Sequence, residues 1–99
     1  MRYQRVRWLH NLADEPVVLY SEIDEPGRER RKVDEFEDGR LDFAGPDGQT
    51  GSTRLSETKM PSLEEVARQD QFVPEEIDQT TFDDVWRRAV STWDISGQG

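Results

Sequence analysis

Seven residues combine charge or an aromatic ring with a placement suited to recognising a ligand or partner: Arg5, Arg7, Trp8, Tyr20, Glu22, Arg31 and Arg54. An arginine fork matches a carboxylate or phosphate through paired hydrogen bonds, a glutamate answers a cation, and Trp8 or Tyr20 supplies an aromatic anchor. That chemistry is recognition rather than bond making. His10 is the single histidine, and no spacing sets it beside an acid and a serine or among other metal ligands, so its expected role is that of a strand-end or turn residue. Among 22 acidic residues, adjacent carboxylates arise by chance and mark no general acid or base. No glycine-rich stretch has the form of a phosphate cradle, and the residues around Asp47 lack the calcium-loop pattern. No catalytic residue, metal ligand or cofactor site is assigned.

The elements expected to carry these residues are strands. Tyr3 to His10 alternates Val6 and Trp8 with Tyr3, Arg5 and Arg7, the period of a half-buried strand. After turn chemistry at Asn11 to Pro16 comes Val17 to Ile23, the most β-prone run of the chain, closed by Pro26-Gly27. Arg28 to Glu37 is a third strand in which Val33 and Phe36 fall three apart, so a bulge is expected to realign them. Asp38-Gly39 is a hairpin signal, and Leu41 and Phe43 alternate on a fourth strand. Gly45 to Lys59 reads as a long loop, with Thr53-Arg54-Leu55 as a short extended piece returning to the sheet.

The second half is expected to be helical. Ser62 followed by Glu65 has capping-box spacing for a short helix over Pro61 to Arg68, and Phe72 to Ile77 reads as a one-turn connector with Pro74 at a first helical position. Phe82, Val85, Trp86, Ala89, Val90 and Trp93 recur at helical spacing on one stripe, with Thr80 or Thr81 as N-cap and Arg87 and Arg88 four residues after Asp83 and Asp84. The resulting expectation is an α+β domain over residues 1–95: a four-stranded antiparallel meander with two C-terminal helices packed on one face, and a disordered tail at 96–99. The stripe of the last helix would lie against Val6, Trp8, Leu19 and Phe43.

Composition limits the partners. The chain of 99 residues carries a net charge of -9, which disfavours non-specific attraction to nucleic acid or anionic membrane. Arg28, Arg30, Arg31 and Lys32 form its one basic cluster, interrupted and flanked by acids. Nine aromatic residues argue against a disordered chain even though 35% of residues are charged. There is no cysteine, no signal-peptide-like run and no membrane-length apolar stretch, which makes cytoplasm the expected compartment. Residues 57–99 hold ten acidic against four basic residues, so the helical half is the acidic half, suited to a basic partner or simply to solubility.

Arg5-Val6-Arg7-Trp8, Leu19-Tyr20-Ser21-Glu22-Ile23-Asp24, Arg31-Lys32-Val33, Asp38-Gly39-Arg40, Gly51-Ser52-Thr53-Arg54-Leu55, Leu63-Glu64-Glu65 and Glu75-Glu76-Ile77, in that order, resemble a family of small uncharacterised bacterial proteins of about 90–100 residues. The resemblance covers nearly the whole chain. It implies a single domain of bacterial, cytoplasmic origin and transfers no activity. Three functions are therefore carried forward. The first is a non-catalytic module that binds another protein, in the manner of acidic immunity or antitoxin-like proteins. The second is a small-ligand-binding domain or enzyme using the charged sheet face, and the third is an acidic mimic of nucleic acid.

Overall fold

A computed structural model describes the backbone of residues 1–98 and the side chains of residues 1–92. The strands are β1 (Arg2–Trp8), β2 (Val18–Ile23), β3 (Glu29–Glu35), β4 (Leu41–Gly45), β5 (Gly48–Gln49) and β6 (Phe72–Ile77); the helices are α1 (Leu63–Ala67) and α2 (Gln79–Gln98). All pairings are antiparallel, and the sheet order is β5-β4-β3-β2-β1-β6. The α+β class agrees with expectation, but the sheet has six strands rather than four. Gly48–Gln49 adds a short edge at one side, and Phe72–Ile77, expected as a helical connector, adds the other. Pro74 is compatible with β6 because an edge strand leaves one row of backbone groups unpaired, where a missing N–H costs nothing.

The β2–β3 and β3–β4 hairpins share one construction. In each, a glycine with positive φ closes the turn: Gly27 at 100° and Gly39 at 90°. Asp24 Oδ1 accepts from the backbone N–H of Gly27 and Arg28, and Asp38 Oδ1 accepts from that of Arg40, so an aspartate braces each turn. A bulge does interrupt β3, but at Arg30: Glu22 pairs with Arg31 while Ile23 pairs with Glu29. Val33 and Phe36 are not realigned. Val33 is buried under α2, and Phe36 lies beyond β3 on the other face, where the Arg40 guanidinium sits 4.1 Å from its ring centre.

Both faces of the sheet are covered, each by different material. Register places Tyr3, Arg5, Arg7, Val18, Tyr20, Glu22, Arg31, Val33, Leu41 and Phe43 on one face. Helix α2 lies across it and buries Phe82, Val85 and Ala89 against Tyr3, Tyr20 and Val33, with Trp86 packed edge-on to Phe43 at 5.2 Å. The helix thus sits on the face opposite Val6, Trp8 and Leu19; of the residues expected beneath it only Phe43 is there. The side chain of Trp93 lies outside the described residues; of the tail expected at 96–99, the backbone of 96–98 is the last turn of α2, and Gly99 lies outside the described residues.

The second face carries Gln4, Val6, Leu19, Ser21, Lys32 and Asp34 and is roofed by residues 50–62 and α1, whose Val66 shares a cavity wall with Val6 and Leu19. The two helices consequently pack on opposite faces rather than on one. Beyond the bonds of Thr50 to Asp42 and Phe43, the long segment between β5 and α1 is pinned to the sheet and to the β2–β3 turn at several further points. Thr53 Oγ1 donates to Asp34 Oδ2 (2.8 Å), Ser56 N–H to Glu29 Oε1 (2.8 Å), Met60 N–H to the Gly27 carbonyl (2.7 Å) and Arg28 Nη1 to the Glu57 carbonyl (2.9 Å). Its Thr53-Arg54-Leu55 stretch joins no strand.

Candidate functional site

Strand alternation divides the seven recognition residues. Glu22 and Arg31 face each other under α2, where Arg31 Nε and Nη2 donate to the two Glu22 carboxylate oxygens at 2.8 and 2.7 Å and Nη2 also donates to Asp83 of α2 at 2.9 Å. The guanidinium lies 4.9 Å from the Phe82 ring centre and 5.1 Å from that of Trp86. The Arg31 fork holds the Glu22 carboxyl below the usual carboxylate range, and Glu22 in turn raises the Arg31 guanidinium. Burial, reinforced by the neighbouring Glu22, pushes the Tyr3 hydroxyl up. This group is an internal clamp between sheet and helix.

Arg5 and Arg7 lie on the same face toward β6, in a depression completed by Val18, Val73, Pro74 and Glu75, and Tyr20, packed beneath α2, forms part of its wall. Arg5 is ion-paired with Glu75 of β6, and the Tyr20 hydroxyl donates to Glu35 Oε1 at 3.1 Å. Burial first, then the Glu35 charge, raises the Tyr20 hydroxyl. Trp8 belongs to the second face, edge-on to His10 at 4.4 Å and 6.1 Å from Phe72. Arg54, also outside the α2 face, donates to the Gly51 and Thr53 carbonyls of its own loop. The seven therefore form no single site.

His10 has the turn role expected of it. Its Nδ1 accepts from the Leu12 N–H at 2.9 Å, which leaves Nε2 as the protonated nitrogen that donates to the Pro16 carbonyl at 2.8 Å. The basic cluster is dispersed by the same alternation, since Arg31 points to α2, Lys32 to the second face, and Arg28 and Arg30 to the Glu57 carbonyl and Asp24. Among the described residues no group of three or more His, Asp or Glu side chains is arranged to hold a metal, and no helix is long and apolar enough to cross a membrane.

What gathers instead is negative charge along β6. From Glu64 to Asp84 the chain holds eight acidic residues and one basic residue, Arg68. Glu64, Glu65, Asp70, Glu75, Glu76, Asp78 and Asp84 are exposed. They sit on α1, on the turn after it, on the edge strand β6 and on the first turns of α2, the elements at and next to one edge of the sheet. Val73, 44% exposed, adds an apolar point among them. The acid excess after residue 57 was visible in composition. Its collection at a sheet edge was not, because Phe72–Ile77 has the residues of a helix start.

Comparison with curated proteins and with solved structures finds no match. A family model described as Domain of unknown function (DUF6881) matches residues 2–91, a span that takes in all six strands, α1 and α2 as far as Ser91, and the chain belongs to that family.

Proposed function

We propose that the protein is a non-catalytic module that binds a basic protein through the acidic border around β6, in the manner of an immunity or antitoxin-like partner. The observation that carries this reading is the concentration of exposed carboxylates, seven between Glu64 and Asp84, around an edge strand. Pro74 and the charges of Glu75 and Glu76 discourage another chain from simply adding a strand, so recognition would run through side chains. Glu75 is paired with Arg5 and Asp84 with Arg87 and Arg88, but the border keeps an excess of carboxylates, and an excess of one sign speeds the approach of an oppositely charged surface and makes the encounter sensitive to salt.

The test is capture from native lysate at low and moderate salt, comparing the wild type with a border variant, Glu64→Gln/Asp70→Asn/Glu76→Gln, and with a control variant, Asp14→Asn/Glu15→Gln/Asp47→Asn. Retention of one stoichiometric basic protein by wild type and control, lost from the border variant and weakened by salt, supports the reading. Retention indifferent to the border, or none, overturns it. Displacement of DNA from the captured partner would assign the border to the mimicry of nucleic acid instead.

A further inference from the structure

On the second face, Gln4, Ser21 and Lys32 are direct cross-strand neighbours on β1, β2 and β3. With Val6 and Leu19 in the next row they form the floor of a cavity of about 250 Å³, whose walls and roof include Phe72, Met60, Pro61 and Val66. Apolar side chains line it beside the polar row, and Glu29, Arg54, Ser56 and Gln69 complete the lining with further polar groups.

The polar groups differ in how far they are satisfied. Glu29 is spent: its Oε2 accepts from Ser21 Oγ at 2.6 Å and its Oε1 from the Ser56 N–H at 2.8 Å. Gln4 is 2% exposed, yet among the described residues its amide nitrogen donates to nothing, and its oxygen accepts only from Arg2 at 3.4 Å. Lys32 Nζ reaches the Arg54 carbonyl only at 3.5 Å and Asp34 Oδ1 at 3.8 Å. Among the described residues Asp34 Oδ1 is the one fully buried side-chain polar atom without a partner, so the unbonded Gln4 amide nitrogen keeps some exposure and is free to take an acceptor from the cavity that it lines. The unspent capacity in this cavity is donor capacity, and one of the donors is a cation.

We propose that this cavity binds a small monocarboxylate with a compact apolar body, its carboxylate between Gln4 and Lys32 and its body against Val6, Leu19, Val66 and Phe72. The cavity exceeds the roughly 150 Å³ that holds a bare benzene ring and falls short of the range of about 300–1,000 Å³ typical of drug-sized ligands. One ring or a short branched chain plus a carboxylate fits it. The inference is independent of the acidic border, from which it shares no residue.

Benzoate and benzylamine, with benzyl alcohol as the uncharged probe, test the proposal by amide-detected NMR titration of the full chain. Expected is saturable benzoate binding that shifts the Gln4 side-chain amide signals. Affinity should be roughly tenfold above that for benzyl alcohol, the value of one charge-assisted contact, with a similar loss in Lys32→Met. Met60→Trp, a substitution in the roof, should abolish binding while leaving the remaining spectrum folded. Equal affinity for benzyl alcohol and benzoate would make the cavity a purely apolar void. Preference for benzylamine would make Glu29 the recognition group, and no saturable shift with any probe would make the space a packing defect; each of these overturns the proposal.

Discussion

Arg31 and Glu22 are direct partners across β2 and β3, and their bidentate pair is sealed beneath α2 by Asp83, Phe82 and Trp86. Removing one partner strands the other. Arg31→Ala leaves a carboxylate on a residue only 7% exposed and takes the stacked guanidinium from two aromatic rings, so an expected loss is roughly 3 kcal/mol in denaturant unfolding. Arg5→Ala, whose partner Glu75 is exposed, should cost under about 1 kcal/mol. Equal losses for the two variants would refute the clamp.

Gly45 faces the same helix from β4. A Cβ there would lie 2.8 Å from Trp86 Cη2, closer than real contacts allow. Trp86 has little room to yield, being stacked 6.3 Å from Phe82 and packed on Phe43. Gly45→Ala should therefore destabilise by about 1–3 kcal/mol. In a Trp86→Leu background the added methyl should cost much less, and a double-mutant cycle measured by urea denaturation would expose that coupling.

The first turn of α2 offers a sharper test of how the helix begins. Thr80 and Thr81 have the residue type of an N-cap, but Asp78 fills the position: its Oδ1 accepts from the Thr81 N–H at 2.8 Å and its carbonyl from the Phe82 N–H at 3.2 Å. That bond also holds the Asp78 carboxyl below its ordinary range. Asp78→Ala should lower the midpoint of thermal or denaturant unfolding, with Thr80→Ala near neutral. The reverse ranking would return the cap to the threonines.

How far the fold could be read in advance depended on whether local pattern and tertiary demand agreed. Strands β1 to β4, the capping Ser62 and the buried stripe Phe82, Val85 and Ala89 were legible because alternation, turn glycines and helical spacing all pointed one way. The choice of face was not. Charge on Arg5, Glu22 and Arg31 suggested exposure, whereas Glu22 and Arg31 neutralise each other and can be buried together. The apolar Val6 and Leu19 then need their own cover, supplied by a segment with no periodicity of its own. The recognition residues were misgrouped for the same reason, and the polar row of Gln4, Ser21 and Lys32 carried no signal until cross-strand register brought it together.

Asp34 and Glu22 link stability to pH with opposite signs. Asp34 is 5% exposed, and among the described residues nothing donates a hydrogen bond to its Oδ1; burial raises its carboxyl above the ordinary 3.8, with Lys32 and Thr53 opposing. A carboxyl raised in the folded state binds protons that the unfolded chain has released, so its contribution is fully present below 3.8 and is lost as pH rises through the raised value. Glu22, lowered by Arg31, contributes stability above the ordinary 4.5 that is lost as pH falls through its depressed value. Urea midpoints measured between acid and neutral pH should therefore show Asp34→Asn gaining on the wild type as pH rises. The wild-type advantage over Glu22→Gln should instead shrink on acidification. Parallel profiles for Asp34→Asn and the wild type would mean that Lys32 and Thr53 fully offset the burial of Asp34, and that its carboxylate is as well solvated inside the fold as in the unfolded chain.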